Sequence, residues 1–289
     1  MPAAARVALV TCAQFPDLDE DGPALLAALR DQAVDPRPAV WDDSAVDWAA
    51  FDLAVIRSPW DYAPRREEFV AWAESVPRLA NPAAVVRWNT DKRYLTDLSA
   101  RGIPVVPTTF LAPGDSIALP ESGEFVVKPA VGAGALDTAR YRPDERARAG
   151  EHVRRLHGAG RTAMVQPYLA RVDVAGETAL LYTGGHYSHT IRKDALLTGP
   201  AGEVEGLYRE ESISAREPAP AQVALAEAAL AAVPGSGGQL LYARVDLLPG
   251  PDGAPVLLEL ELTEPSLFLG LGTRAIEQFA AAIAAAVPR

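Results

Sequence analysis

The sequence has little of what secreted or membrane-spanning proteins need. Cys12 is the only cysteine, so the chain cannot form an internal disulfide, and Cys12 is expected to be a small buried hydrophobic residue. The longest apolar run, residues 279–287, is far shorter than the ~20 residues that span a bilayer and is predicted to be a terminal amphipathic helix. At the N-terminus only residues 7–10 are apolar, which is too short for a signal-peptide core. We therefore expect a cytoplasmic protein without a membrane partner.

Basic residues are also in the minority. The chain has 27 Lys and Arg against 38 Asp and Glu, which gives a formal charge of −11 at pH 7. A field of this sign repels nucleic acids and anionic membrane surfaces, so a nucleic-acid partner is not expected. An anionic substrate would need a local pocket built from particular Lys and Arg residues.

Hydrophobic patterning divides the chain into three predicted parts. With 289 residues, of which 49% are apolar, it has the composition of a globular protein with two or three folding units. Strand patterns at residues 6–11 and 51–57, each followed by a turn and a helix pattern, predict an open α/β domain over residues 1–88. Mixed helix and strand patterns predict an α+β lobe over residues 89–169, and residues 170–289 form the third part.

The third part ends in a predicted β-hairpin. Residues 240–248 and 255–262 both have strand patterns, and the Pro- and Gly-rich residues between them are typical of a turn. Antiparallel strands are predicted upstream at residues 178–182 and 186–192. The polar segment that follows, residues 197–217, is predicted to be a mobile loop and is a candidate lid.

The hairpin carries three acidic residues, Asp246, Glu259 and Glu261, inside apolar strands. A carboxylate in such a strand must be paired or metal-bound to offset a desolvation cost of several kcal/mol. Glu259 and Glu261 are two residues apart and therefore share one face of the strand, and Asp246 can join them across the hairpin. These oxygen ligands predict a Mg²⁺ site. The alternative is that the three acids face solvent on an exposed side of the sheet.

A glycine-containing segment follows another predicted strand. Lys128 ends the strand pattern, and Gly132 and Gly134 come soon after it. Small residues let backbone N–H groups approach phosphate oxygens, and a lysine adds a positive charge. A hairpin turn beside a solvated lysine is an equally good interpretation, because the segment matches neither the P-loop nor the dinucleotide fingerprint.

The order of these motifs resembles the ATP-grasp ligases over nearly the whole chain. Lys92 in NTDKRYL and Lys128 in VVKPAVGAG match the two nucleotide lysines of that family, and Gly132 and Gly134 match its phosphate loop. The resemblance implies a three-lobed fold, in which ATP is held between the central lobe and the C-terminal lobe.

Further motifs carry the resemblance towards the C-terminus. The family's adenine hinge is matched by residues of the segment VQPYL, namely Gln166, Tyr168 and Leu169. The acidic residue that follows this hinge is matched by Glu177, and the phosphate-contacting arginine by Arg244 in ARVDLL. The resemblance implies that the three acids of the hairpin bind Mg²⁺, although many family members have Asn where this chain has Glu261.

Two more stretches carry candidate site residues. Arg57 and Ser58 come at the end of a strand, where the ligands of open α/β domains gather, and Arg57 can bind a substrate carboxylate through a bidentate pair. A salt bridge from Arg57 to Asp61 is an equally good interpretation. Arg192 and Lys193 in SHTIRK are expected, by the resemblance, to stabilise the transferred phosphate.

The resemblance implies that a substrate carboxylate is phosphorylated by ATP and that a nitrogen nucleophile then displaces the phosphate. The stretch IRSPWDY and residues 259–268 resemble the branch near glutathione synthetase and RimK-type ligases, which includes an O-ureido-serine cyclo-ligase. We therefore expect an intramolecular reaction that forms D-cycloserine from O-ureido-D-serine, a small amino-acid-like substrate. The alternatives are an intermolecular amino-acid or peptide ligase and a non-catalytic ATP-binding regulatory protein. Whether the chain forms a homo-oligomer is left open.

Overall fold

The computed structural model describes residues 4–197, 212–235 and 240–288, and the first of its sheets is parallel and four-stranded, in the order β2-β1-β3-β4. Its strands and helices are β1 (Ala5–Thr11), α1 (Gly22–Asp31), β2 (Val34–Val40), β3 (Leu53–Ser58), α2 (Arg66–Ser75) and β4 (Leu79–Ala80). The two inner strands, β1 and β3, are almost continuously apolar because both faces of an inner parallel strand are buried.

The second sheet is antiparallel, in the order β5-β8-β6-β7, and two short helices lead into it. The elements of this region are α3 (Ala83–Asn89), α4 (Tyr94–Ala100), β5 (Thr109–Leu111), β6 (Phe125–Pro129), β7 (Ala139–Tyr141), α5 (Arg146–Gly158) and β8 (Ala163–Pro167). Helix α5 packs against the sheet through a core that includes Val153, Leu156 and Phe125.

The third sheet is antiparallel and five-stranded, in the order β11-β10-β9-β12-β13. Its region contains α6 (Val172–Ala175), β9 (Glu177–Thr183), β10 (His186–Lys193), β11 (Ile213–Ala215), α7 (Pro220–Ala231), β12 (Tyr242–Pro249), β13 (Pro255–Glu261) and α8 (Ala275–Ala286). One hydrophobic core joins Leu9 of β1 and Leu25 of α1 to Leu181 of β9 and Phe279 of α8. The last helix therefore packs against the first sheet as well as the third.

The outer edge of β13 is covered by side chains that we call the edge clamp, namely Asn81, Asn89 and Tyr94. The amide nitrogens of Asn81 and Asn89 donate to the carbonyl oxygens of Leu262 and Leu260, each at 2.7 Å. The backbone N–H groups of Leu260 and Leu262 donate to the Tyr94 hydroxyl and to Asn89 Oδ1, each at 2.8 Å. The clamp therefore satisfies the backbone groups that an edge strand otherwise leaves unpaired.

Several predicted elements differ from the observed ones. Strand β2 was not predicted. The predicted α+β lobe begins close to the end of α3 at Asn89, and a turn separates α3 from α4, which begins at Tyr94. Most of the candidate lid, residues 198–211, lies outside the described residues. Cys12 is buried, as predicted. The boundaries of the three predicted parts stay a prediction. No helix in the described ranges is long and apolar enough to cross a bilayer.

Candidate active site

A cleft of about 1720 Å³ is lined by residues of the second and third sheets and by loops that follow strands of the first sheet. The second sheet contributes Lys128 and Gln166, and the third contributes Asp246 and Glu259. The loops after β1 and β3 close one end, because the carboxyl ends of these parallel strands point towards it; Trp60 lies on the second of these loops.

Three carboxylates lie side by side on the β12–β13 hairpin. Asp246 is directly opposite Glu259, and Arg244 is directly opposite Glu261, so the three acids share one face of the sheet. Asp246 is 2% exposed, and the side chains of Glu259 and Glu261 are only 21% and 25% exposed. The alternative of a solvent-facing row of acids is therefore wrong.

Glu259 is the counter-charge of two lysines. Lys92 Nζ lies 2.9 Å from Glu259 Oε1, and Lys128 Nζ lies 3.8 Å from Glu259 Oε2. Burial disfavours the charged form of Glu259, but the two ammonium groups outweigh burial and hold its pKa below the ordinary value. Burial lowers the pKa of Lys128, whereas for Lys92 the attraction of Glu259 outweighs burial and raises the pKa. One carboxylate thus serves two ammonium groups.

Asp246 is the centre of a second group of ion pairs. Arg244 Nε lies 2.9 Å from Asp246 Oδ1, and Lys193 Nζ lies 3.0 Å from Asp246 Oδ2. Burial opposes ionisation of Asp246, but Arg244 and Lys193 prevail and hold its pKa well below its usual range. Lys193 also pairs with Glu177, and Arg244 also pairs with Glu261.

Glu261 has the opposite pKa shift. Burial raises the pKa of Glu261 to about 8, and the charges of Asp246 and Glu259 add to this effect, although Arg244 opposes it. The carboxylates thus repel one another at a position where added positive charge is favourable.

The donor chemistry of these three acids fits a divalent cation. Within residues 4–197, 212–235 and 240–288, no three His, Cys, Asp or Glu side chains are gathered closely enough to hold a metal ion. Asp246, Glu259 and Glu261 hold lysine and arginine partners instead. All the donors are carboxylate oxygens, which Mg²⁺ prefers, and the charges of Asp246 and Glu259 add to the effect of burial in raising the pKa of Glu261. The three side chains therefore have the ligand type that Mg²⁺ prefers, and metal binding stays a prediction.

One side of the cleft is an apolar slot. Gln166 on β8 is 3% exposed, and its amide nitrogen donates to Thr108 Oγ1 at 2.9 Å. Tyr168 and Leu169 follow it and pack against a buried apolar cluster in the cleft wall. The Arg140 guanidinium lies 3.5 Å from the centre of the Tyr168 ring and fixes its orientation. The structure thus brings the three predicted hinge residues together.

The predicted phosphate loop lines the same cleft. The Gly132 carbonyl accepts a hydrogen bond from Lys92 Nζ at 2.8 Å, which ties the loop to the first nucleotide lysine. A Cβ atom at Gly132 would lie 3.0 Å from Pro129, and Gly134 has φ of +61°, so side chains are disfavoured at both positions.

Three predicted site residues lie away from the cleft wall. Arg57 is 1% exposed and pairs with Asp19 at 3.2 Å, so the predicted salt bridge to Asp61 is wrong. Ser58 is buried against Thr11, with 2.8 Å between their hydroxyl oxygens. Arg192 faces away from Lys193 on β10 and donates to the Ala175 carbonyl at 3.1 Å. The Phe279 ring packs against the Arg57 guanidinium near the end of β3, so Arg57 is buried where it was expected to face a ligand.

Glu264, in the loop after β13, lines the cleft and was not predicted. Trp60 Nε1 donates to the Glu264 carbonyl at 3.1 Å, and the Phe15 ring packs edge-on against Trp60. Burial raises the pKa of Glu264 to about 7, although Tyr62 and Lys92 oppose the rise. The available signal was an acid directly after LELELT, at the end of the predicted hairpin strand.

Comparison with known proteins places the chain in a family. The family model for the N-terminal domain of D-cycloserine synthetase DcsG matches residues 7–81. The cycloserine biosynthesis protein DcsG of Streptomyces lavendulae is 43% identical over 293 residues, which cover 96% of this chain and 97% of the relative. The chain belongs to the DcsG family.

Solved structures agree with this assignment. The crystal structure of D-cycloserine synthetase DcsG has a TM-score of 0.89 at 42% identity and covers 98% of this chain and 100% of that chain. The ATP-grasp ligase PsnB, complexed with minimal precursor, Mg and ADP, has a TM-score of 0.63 at 16% identity and covers 98% and 97%. This member of the DcsG family therefore has the predicted ATP-grasp fold and is a ligase. The alternative of a non-catalytic regulatory protein is set aside.

Proposed function

We propose that this protein is an ATP-dependent cyclo-ligase that forms D-cycloserine from O-ureido-D-serine. The observation that carries the proposal is the cleft itself, in which the basic residues Lys92, Lys128 and Arg244 face the acids of the β12–β13 hairpin. Its support comes from membership of the DcsG family, whose crystal structure this fold matches over almost its full length.

ATP binds with its adenine in the apolar slot beside Gln166, Tyr168 and Leu169. Its phosphates replace Glu259 as the partners of Lys92 and Lys128, because both ammonium groups already face the cleft and their present partner is a carboxylate. Backbone groups of the loop from Gly132 to Gly134 cover the phosphates.

Asp246, Glu259 and Glu261, once released by this exchange, would hold Mg²⁺. The ion would supply positive charge against the negative charge that develops on the transferred phosphoryl group. Arg244 and Lys193, which pair with these acids in the described structure, become available to the same phosphoryl oxygens. Glu177 remains as the partner of Lys193.

The reaction then proceeds in three balanced steps. A carboxylate oxygen of the substrate attacks the γ-phosphorus, and the bond to ADP breaks. The oxygen-bound nitrogen of the ureido group attacks the acyl carbon, loses a proton and expels phosphate, which closes a five-membered ring. Water then removes the carbamoyl group as carbon dioxide and ammonia. The enclosed cleft favours ring closure because the nucleophile is held at high effective concentration and water is restricted.

The test is a product assay with Mg²⁺, ATP and O-ureido-D-serine. The expected products are ADP, phosphate, carbon dioxide, ammonia and D-cycloserine in equal amounts, with no added amine. AMP and pyrophosphate would contradict an acyl-phosphate route. If ADP forms only when a second amine or peptide is supplied, the protein is the intermolecular ligase that the sequence left as an alternative.

A further inference from the structure

Glu264 stands apart from the other acids of the cleft in its charge balance. Asp246, Glu259 and Glu261 each have a lysine or arginine partner, and Asp19 pairs with the buried Arg57. Glu264 is half-buried, and it interacts with the Tyr62 hydroxyl and with the charge of Lys92, but among the described residues no lysine or arginine lies within ion-pair distance of its carboxylate. A half-buried carboxylate without a direct ion pair is a good acceptor for a ligand cation, because burial strengthens its interaction with that cation.

The remaining lining acids do not match this description. Asp21 uses both carboxylate oxygens to cap the backbone N–H groups of Leu269 and Gly270, at 2.9 and 3.3 Å. Glu20 is exposed, and Glu177 and Asp194 pair with Lys193 and Arg192. Glu264 is therefore the lining carboxylate best placed, among the described residues, to meet a cation inside the cleft.

The loop that carries Glu264 also holds Arg244, a basic residue of the cleft wall. Arg244 Nη1 donates to the Ser266 carbonyl at 3.1 Å, so the guanidinium and Glu264 are anchored on the same short loop. An α-amino acid carries its carboxylate and its ammonium group on neighbouring carbon atoms, and it therefore needs an anionic and a cationic group close together. Glu264 and Arg244 both line the cleft and supply one group of each charge.

We infer that Glu264 binds the α-ammonium group of the amino-acid substrate and that Trp60 positions it. The inference rests on the proposed function, since it assigns one end of the substrate of that same site. Trp60 acts through the backbone, because its indole N–H donates to the Glu264 carbonyl at 3.1 Å. The N-terminal domain thereby contributes to substrate recognition through a loop that carries no ion pair to the substrate itself.

The experiment compares two substrates in the wild-type protein and in two variants. O-ureido-D-serine and its deamino analogue, 3-(ureidooxy)propanoate, are assayed for ADP release with wild-type protein, with Glu264→Gln, and with Glu151→Gln. Glu151 is an exposed residue of α5 and controls for the loss of one negative charge. Glu264→Gln should raise the KM for O-ureido-D-serine by about 10- to 100-fold, which is the loss expected for a charge-assisted hydrogen bond.

The analogue distinguishes recognition from damage to the fold. For 3-(ureidooxy)propanoate, kcat/KM should be the same in wild type and Glu264→Gln, and the KM for ATP should not change. Glu264→Asp should restore part of the preference for O-ureido-D-serine over the deamino analogue. Trp60→Phe, which removes the indole donor, should lose part of that preference. Equal losses for the two substrates in Glu264→Gln would overturn the inference.

Binding separates the inference from the proposed function. Calorimetry measures the affinity for O-ureido-D-serine in the presence of Mg²⁺ and a non-hydrolysable ATP analogue. If wild type binds the compound without turnover and Glu264→Gln binds it at least about tenfold more weakly, the cyclo-ligase proposal fails and the role of Glu264 stands. Unchanged binding in Glu264→Gln overturns the role of Glu264 whatever the turnover.

Discussion

Replacing Glu259 with Gln should have opposite effects on nucleotide binding and on turnover. Glu259 holds Lys92 at 2.9 Å and Lys128 at 3.8 Å, so nucleotide phosphates must displace it before they reach either lysine. A hydrogen bond to a charged group contributes about 1.5–3 kcal/mol, and Glu259→Gln removes this competition. The variant should therefore bind ADP about 10- to 100-fold more tightly than wild type when Mg²⁺ is absent.

Turnover should change in the other direction. Glu259 is a proposed Mg²⁺ ligand, and the loss of its charge should lower kcat by at least about 100-fold. ADP affinity is measured by calorimetry in EDTA, and kcat by ADP release in saturating Mg²⁺. The control Lys128→Met, which removes a phosphate partner instead of a competitor, should weaken ADP binding in EDTA. The melting temperature checks that each variant is folded.

Whether Glu259→Gln binds ADP more tightly or more weakly than wild type tests this competition. If folded Glu259→Gln binds ADP more weakly than wild type in EDTA, Glu259 does not compete with phosphate for the two lysines. If kcat is also unchanged, the carboxylate has a structural role only.

Two further predictions concern stability. Asn81 makes three hydrogen bonds to buried backbone groups, so Asn81→Gly should lower the free energy of unfolding in urea by about 2–5 kcal/mol. Asn81→Ala should cost about 1 kcal/mol more, since φ is +58° there; equal losses would contradict this account. Burial, and then the charge of Arg155, lower the pKa of His152. Because the folded protein disfavours its charged form, His152 should lower stability as pH drops below about 6.5, by at most about 1.4 kcal/mol per pH unit, and His152→Gln should remove this part of the slope.

The local features of the site could be predicted from the sequence. The two hairpin strands were expected at residues 240–248 and 255–262 and are observed at Tyr242–Pro249 and Pro255–Glu261. The period of two along a strand was enough to place Glu259 and Glu261 on one face. These features depend on neighbours in the chain, which is the information that a sequence pattern contains.

Features that depend on distant partners could not be predicted. Arg57 pairs with Asp19, 38 residues away, and not with Asp61, which was the nearer candidate in the sequence. Its burial under Phe279 comes from a helix at the other end of the chain. Strand β2 was missed because Pro36 and Pro38 lie within it, and prolines are tolerated there only because β2 is an edge strand.

The edge clamp holds the backbone of β13 through bonds that do not involve the acidic side chains of that strand. The hydrogen bonds from Asn81, Asn89 and Tyr94 to β13 and the residue that follows it all go to backbone atoms, so these bonds do not depend on the side chains of Glu259 and Glu261. A substitution at Glu261, such as the Asn that many ATP-grasp ligases have there, leaves every one of these bonds available. The chemistry of the strand can therefore be redesigned one side chain at a time on a backbone that is fixed independently, which makes β13 a favourable starting point for altering the reaction of this ligase.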